Sequence, residues 1–262
     1  MKHKRGQLIR FLGVFVLLIL SARAQAQFLG NPVALSGKRN LALGVSGVYQ
    51  DFKWEAVSFR SQGVLGRFSF GLAEALDICL LGGYRNWQFQ EQALNLSDVD
   101  FGFSATGGAG LRVWVFGNRK SRMALHGFAE GLYFNPQTYF EKPASGQPAG
   151  TVQRSYVYLT GYTRQAGIVG IFRLSHFDFF AGLAVSSFHF QTERDDYRLS
   201  AGSVRLADKN TSIQETPVEK RFSVGFDLKL PHGYRIGLEA QSSTTPDFQV
   251  LLGVSQIARF PN

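Results

Sequence analysis

Large apolar residues recur at every second position in at least ten segments between Asn40 and Phe260. In the segment 222–230 the alternate positions are Phe222, Val224, Phe226, Leu228 and Leu230, and small or charged residues lie between them. Successive side chains of a β-strand point to opposite faces, so this spacing predicts strands with one apolar face and one polar face. The pattern indicates an all-β protein.

The alternation predicts ten antiparallel strands, with eight or twelve as alternatives because some segments can be divided differently. The predicted strands cover residues 39–51, 57–71, 76–90, 98–116, 122–134, 154–174, 177–191, 219–230, 234–244 and 247–260. Connections are tight after the second, fourth, sixth and eighth strands. The longest of the other connections are 135–153 and 192–218. Short turns at one end and long loops at the other are typical of a closed antiparallel transmembrane β-barrel.

The face opposite the apolar one carries charges of both signs. A soluble antiparallel sheet also alternates, so a soluble periplasmic β-barrel binding protein stays an alternative. Burying these charges in a dry interior is costly unless each is paired, whereas a membrane barrel can hold them as a hydrated ion-pair network. The candidate lumen network is Arg67, Arg85, Arg112, His126, Glu130, Arg173, Asp227, Arg235 and Glu239, and the same face also holds Asp178, Arg221, Lys229 and Arg259.

Aromatic residues are predicted to form a band at each end of the apolar wall, as the interfaces of a membrane favour. The loop-side band comprises Tyr49, Tyr84, Tyr133, Tyr156, Tyr158 and Tyr162, and the turn-side band comprises Phe70, Phe172, Phe177, Phe222, Tyr234 and Phe260. On the fourth strand the predicted apolar face is Phe101, Phe103, Leu111, Val113 and Val115.

The amino terminus has the pattern of an export signal peptide. Residues 1–10 hold four basic residues and no acid, and the apolar run 11–20 is much shorter than the roughly 20 residues of a spanning helix. We therefore expect a signal peptide over 1–24, a periplasmic lead-in over 25–38 and the barrel over 39–260. The five basic residues of the signal supply five of the net +9 charge and leave about +4, which gives no indication of nucleic acid binding.

Repeated glycine–aromatic alternation, as in 68–71 and 225–228, resembles that of small bacterial outer-membrane β-barrels. The last segment, 250–260, resembles the carboxy-terminal signal that the barrel-assembly machinery recognises. The chain is similar to the outer-membrane-protein β-barrel domain group that includes the OmpA amino-terminal barrel. It departs from the group by ten strands rather than eight and by Pro261 and Asn262 after the terminal aromatic.

This resemblance implies an outer-membrane location, contact with outer-membrane lipid and lipopolysaccharide, and the assembly machinery as a partner during biogenesis. The expected role is structural, adhesive or that of a narrow pore, without enzymatic activity. The long loops 135–153 and 192–218 are candidate sites for a protein partner, and the charged segment 192–218 is alternatively a solvated extension of the seventh and eighth predicted strands. Arg154 and Arg164, near the loop side, are candidates for contact with anionic headgroups.

An outer-membrane hydrolase with a site at the extracellular rim is the second hypothesis. His189 lies close in sequence to Glu193, Asp195 and Asp196, as acids and a histidine do at the rim of omptin-type proteases. However, the adjacent Asp-His pair of those proteases is missing from the late loop. The segments that begin at His126 and His189 also lack the His-x-Ser motif of barrel-type lipid A deacylases. We therefore expect no catalytic residues.

No cofactor or metal is expected. His126 and Glu130 share one strand face, but at about 3.3 Å per residue they are roughly 13 Å apart, too far to share one ion. Structural pairing inside the lumen is the simpler interpretation of both residues.

Overall fold

The computed structural model describes residues 40–54, 57–117, 121–144, 151–200, 203–216, 218–243 and 248–258. The predicted signal peptide and lead-in, together with Arg259 and Phe260, lie outside the described residues. The strands are β1 Leu41–Trp54, β2 Val57–Ala73, β3 Leu76–Glu91, β4 Leu96–Phe116, β5 Met123–Phe134, β6 Gln137–Pro143, β7 Val152–Arg173, β8 Phe177–Ser200, β9 Ser203–Glu215, β10 Glu219–Lys229, β11 Tyr234–Ser243 and β12 Phe248–Ala258. Among these residues no helix is long and apolar enough to cross a membrane.

Ten of the strands form a closed ring. The order around it is β1, β2, β3, β4, β5, β7, β8, β10, β11 and β12, and β12 pairs antiparallel with β1, from Leu41 opposite Ala258 to Asp51 opposite Phe248. Consecutive ring strands meet at short connections on one side, including the 3₁₀ turn Pro231–Gly233. The predicted ten-stranded antiparallel barrel is confirmed.

The two remaining strands, β6 and β9, continue ring strands beyond the ring. Phe134 of β5 lies opposite Gly161 of β7, and Gln137 of β6 lies opposite Tyr158 in the same register. The break between β5 and β6 contains Pro136, which has no backbone N–H to donate, although its carbonyl still accepts from Leu159 N at 3.0 Å. β9 and β10 both pair with β8, β10 within the ring and β9 beyond it. The register of pairing with β8 shifts between the two strands.

The described residues of 135–153 and 192–218 are mostly strand and not loop, which for 192–218 agrees with its interpretation as an extension of the strands beside it. They help to build a four-stranded sheet above the ring that consists of β6, residues 152–160 of β7, residues 189–200 of β8, and β9. We call this sheet the extension. Outside hydrocarbon neither face of a sheet has to be uniformly apolar, so the alternation that revealed the ring strands fades there, while prolines and charges suggest a loop.

The outer wall of the ring is covered by exposed apolar side chains, among them Leu43, Val45, Val64, Leu80, Leu111, Ile168, Phe179, Leu183, Val185, Phe222 and Val224. A soluble protein rarely exposes a continuous apolar surface of this extent. A closed ring also pairs its backbone polar groups without leaving an edge in lipid. The fold is that of a transmembrane β-barrel.

The aromatic positions follow the expectation in part. Tyr84 and Tyr133 are exposed toward the loop side, and Phe172, Phe177 and Tyr234 are exposed toward the turns. Other positions differ from the expectation. Phe222 lies opposite Leu183 in the middle of the wall, Tyr156 and Tyr158 lie in the extension, and Phe101 is buried inside because of a bulge in the β3–β4 pairing.

Substitution of Leu183 tests whether the apolar wall faces lipid. Leu183→Arg should destabilise the protein in phospholipid vesicles by about 2–4 kcal/mol, because a cation then faces the bilayer midplane. Ile213→Arg is the matched control, since Ile213 is equally exposed (62% against 60%) but lies in the extension. It should change stability by less than about 0.5 kcal/mol. Urea unfolding in vesicles measures both, and equal effects would contradict the placement.

Candidate functional site

The interior of the barrel has two layers, and the one nearer the turns holds most of the buried charges beside a small apolar cluster of Val169, Ile171 and Phe180. Arg67 of β2 and Arg112 of β4 converge on Glu130 of β5, with Nη2–Oε1 distances of 3.1 and 3.2 Å. All three side chains are nearly or wholly buried, and the carboxylate is shared by two guanidinium groups. Removing the carboxylate would leave two buried cations facing each other.

A second ion cluster lies on the neighbouring arc of the interior, close to the turns. Arg235 Nη1 contacts Asp178 Oδ2 at 2.7 Å and Asp227 Oδ2 at 3.4 Å. Lys229 Nζ contacts Asp178 Oδ1 at 2.5 Å and also donates to the carbonyl of Leu174. Both aspartates are buried, so the two cations hold them in place at the turn-side mouth.

An aromatic contact completes the turn-side mouth. The rings of Trp114 and His126 meet edge to face with their centroids 3.8 Å apart. The Arg173 guanidinium lies 5.0 Å from the Trp114 ring centroid, and its Nη1 donates to the Ser121 carbonyl at 2.9 Å. Rings and paired charges therefore occupy much of the lower lumen.

The nine residues predicted as a lumen network all face the interior, and their closest contacts gather them into small groups. Arg67, Arg112 and Glu130 form the first cluster, and Asp227 and Arg235 belong to the second cluster. His126 and Arg173 pack on Trp114. The carboxylate of Glu239 accepts from Gln241 Nε2 at 2.9 Å.

Arg85 lies apart from the other eight, higher in the lumen. Its Nη2 donates to Gln50 Oε1 at 3.3 Å and to Ser61 Oγ, and its guanidinium lies 4.5 Å from the Trp87 ring centroid. This side chain is completely buried. It marks the boundary between the polar layer and the layer above it.

The layer nearer the extension is apolar and mostly aromatic. It consists of Phe52, Val57, Phe59, Trp87, Phe89, Leu94, Leu96, Val99, Phe101, Phe134, Val157, Leu159, Phe188 and Phe190. We call this set the aromatic plug. Trp87 and Phe134 stack at 4.1 Å between centroids, and Phe52 and Phe59 at 4.8 Å. Gly161 makes room for the Phe134 ring, because a Cβ there would lie 2.3 Å from it.

The expectation that the inner face encloses water is therefore wrong for this half of the lumen. On β8, the plug residues Phe188 and Phe190 follow Asp178 along the inner face at every second position. On β4, Phe101 is odd-numbered and Arg112 is even-numbered, yet both face the interior because of the bulge between them. The alternation alone placed Phe101 on the wall. The available signal was a cluster of large apolar residues at the loop-side end of several inner faces.

Arg194 ties the inner face of the extension to the β3–β4 hairpin. Its Nε contacts Asp196 Oδ1 at 3.1 Å, and its Nη1 donates to the Leu94 carbonyl at 2.9 Å. Ser155 Oγ also donates to Asp196 Oδ1, at 2.5 Å. Burial would raise the pKa of Asp196, but the hydrogen bonds from Ser155 and Arg194 outweigh burial and hold it below the ordinary value.

His189 does not gather the acids near it in sequence. It faces outward, stacks on Tyr162 at 4.8 Å and lies opposite Glu215. Glu193 and Asp195 contact Lys209 at 3.5 and 3.7 Å, and Asp196 belongs to the inner face. In the described part of the chain, no group of three or more His, Cys, Asp or Glu residues is arranged to hold a metal ion.

No protein-family model matches this sequence, and no curated protein matches it. Solved structures with similar architecture include the translocator domain of the autotransporter NalP from Neisseria meningitidis, at 11% identity over 86% of this chain and 90% of that chain, with a TM-score of 0.44. An outer membrane channel from Pseudomonas putida F1 matches at 10% identity over 88% and 100%, with a TM-score of 0.39. Likenesses this distant say nothing about activity.

Substitution of Glu130 tests whether the first ion cluster stabilises the barrel. Glu130→Gln should destabilise the barrel by about 3–5 kcal/mol, because Arg67 and Arg112 lose the carboxylate that both contact. Glu215→Gln is the control, since Glu215 pairs with Arg164 at 3.3 Å but both side chains are more than half exposed. That change should cost at most about 1 kcal/mol. Urea unfolding measures both variants, and an unaltered midpoint for Glu130→Gln would contradict the pairing.

We predict that low pH weakens the contact of Asp196 with Arg194, and with it the link between the extension and the β3–β4 hairpin. Because its folded-state pKa is lowered, the stabilisation is complete above the ordinary value of 3.8 and is lost as pH falls through the lowered pKa. The Arg194 Nε–H signal in ¹⁵N NMR of the refolded protein should be sharp at pH 6 and broaden only after the pH has fallen below 3.8. In Asp196→Asn it should already be broad at pH 6. A wild-type signal indifferent to pH would contradict this role of Asp196.

Proposed function

We propose that this protein is a non-conducting outer-membrane barrel that anchors the extension at the bacterial surface, where the extension serves an adhesive or other binding role. The aromatic plug carries this proposal. Its rings occupy the loop-side half of the lumen, and Phe52, Trp87, Phe89, Phe134 and Phe190 are completely buried. Solvent does not reach these side chains, and their burial supports a lumen closed to ions.

Ion passage needs a continuous polar or water-filled route. Such a route is interrupted in two places. The aromatic plug fills the loop side, and the Asp178–Arg235–Asp227 cluster and the Trp114–His126 contact fill the turn side. A narrow-pore role would require the aromatic plug to leave its packed position, at a cost of about 3–5 kcal/mol for each buried ring withdrawn.

The proposed orientation follows from the ends of the barrel. The short turns lie on one side and the extension on the other, as periplasmic turns and extracellular segments do in outer-membrane barrels. In this orientation the wall contacts lipid and lipopolysaccharide, and the extension is the part available to a protein partner. Export by a cleaved signal peptide and insertion by the assembly machinery complete the proposal.

The extension gives this closed barrel a surface outside the membrane that can bind a partner. β7 and β8 are 22 and 24 residues long, whereas their ring neighbours β5 and β10 have 12 and 11. Arg194 and the aromatic plug fix its base. A rigid sheet held above the membrane can present side chains to a partner with little loss of conformational entropy on binding.

Conductance in a planar bilayer tests the proposal. The refolded wild-type protein should give no steady current. Phe59→Ala/Phe188→Ala/Phe190→Ala, which removes three rings of the aromatic plug, should give measurable ion flux. Phe172→Ala/Phe177→Ala/Phe179→Ala removes three exposed rings from the wall and should stay silent. A steady wild-type current that matches the triple plug variant would overturn the non-conducting assignment.

A further inference from the structure

Tyrosines concentrate on the outer face of the extension. Four of the nine tyrosines in the chain lie there, Tyr139, Tyr156, Tyr158 and Tyr197, and Tyr162 continues the same face at the top of the ring. Tyr156 contacts Tyr139 and Tyr197, each at 5.7 Å between ring centroids, and Tyr139 is 59% exposed. We call these five residues the tyrosine face. Large rings with a polar tip are suited to partners that are apolar on one side and hydroxylated on the other.

The charges among these tyrosines are already paired. Arg154 contacts Glu141, Arg164 contacts Glu215 at 3.3 Å, and Lys209 contacts both Asp195 and Glu193. The two carboxylates raise the pKa of Lys209, Asp195 more than Glu193. Arg154 and Arg164, the residues expected to meet anionic headgroups, are therefore poor phosphate anchors, and recognition has to come from rings and hydrogen-bonding groups.

The tyrosine face is continuous with the membrane-facing wall. β7 and β8 pair from Val152 opposite Leu199 to Arg173 opposite Asp178 without a register shift. The alternate positions that expose Ile168 and Phe172 on the wall therefore become Tyr162, Tyr158 and Tyr156 above it. From Tyr162 to Arg154 the face rises roughly 26 Å along the strand at about 3.3 Å per residue.

This continuity determines what surrounds the face. A surface that extends upward from the lipid-facing wall looks sideways, into the headgroup layer of the leaflet that the barrel crosses. Sugar rings present C–H faces that stack on aromatic rings, and their hydroxyls hydrogen-bond to tyrosine hydroxyls and to paired carboxylates and guanidinium groups. Their uncharged hydroxyls also suit a face whose cations are already engaged.

We propose that the tyrosine face binds the saccharide headgroup of the glycolipid next to the barrel, through its sugars and not through its phosphates. The proposal rests on the outer-membrane orientation proposed above, in which the extension lies at the cell surface. Tyr156 and Tyr158, at the centre of the face, would be the main stacking positions, with Tyr139 and Tyr197 beside them.

Calorimetric titration of the refolded full-length mature protein in detergent tests this, with dephosphorylated core oligosaccharide from lipopolysaccharide as the probe. The wild-type protein should bind it, and raising salt from 50 to 500 mM should change Kd less than about twofold, because screening acts on charges. Tyr156→Ala/Tyr158→Ala should weaken binding at least tenfold. Tyr84→Ala/Tyr234→Ala removes two exposed wall tyrosines and should leave Kd unchanged.

The heat-modifiable shift in electrophoresis reports folding of each variant. If the double alanine variant does not fold, Tyr156→Phe/Tyr158→Phe keeps the rings and should weaken binding severalfold through loss of the hydroxyls alone. Equal affinity in the wild type and in every folded tyrosine-face variant would overturn the proposal. So would wild-type binding that needs the phosphates and falls steeply with salt, or a face occupied by a second copy of the chain.

Conductance of the same preparations separates the two proposals. A silent barrel that fails to bind the oligosaccharide refutes the saccharide site and leaves the non-conducting assignment standing. A barrel that conducts ions but binds the oligosaccharide through Tyr156 and Tyr158 supports the saccharide site and refutes the non-conducting assignment.

Discussion

The backbone pairing between β1 and β12 is the constraint on which the rest of the structure depends. In hydrocarbon an unpaired N–H or C=O group has no water to bond, so a sheet can cross a membrane only if its first and last strands meet. Once the ring is closed, alternate side chains must face lipid and the others must face a narrow interior. The apolar wall and the crowded lumen both follow from that single ladder.

The interior resolves this crowding in two different ways. Near the turns, the buried charges are paired: Glu130 contacts two arginines, and Arg235 contacts two aspartates. Near the extension, aromatic rings fill the space and need no partners beyond one another. Arg85 joins the two layers, because its guanidinium bonds polar groups on one side and lies over the Trp87 ring on the other.

The ring strands were predictable because lipid imposes a strict alternation on every segment that crosses it. The extension was predictable only in part. The segment 192–218 could be interpreted as a continuation of the strands, whereas Pro136 indicates a loop although the register of β5 continues past it in β6. The side chains of Arg67, Arg112 and Glu130 could be assigned to the lumen by parity. Their convergence depends on the stagger of three strands, which the alternation of side chains does not determine. Within the aromatic plug, the alternation placed Phe101 on the lipid-facing side because it does not reveal the bulge in the β3–β4 pairing.

The uninterrupted β7–β8 ladder also has a mechanical consequence. It runs from the turn side of the ring to the tip of the extension without a bulge. A pull applied at the tip along the strands acts across hydrogen bonds that lie perpendicular to them, so the bonds bear the load together in shear instead of opening one after another. A cell held by this sheet would transmit traction straight into the barrel wall, and the hairpin would serve as a tether that resists peeling.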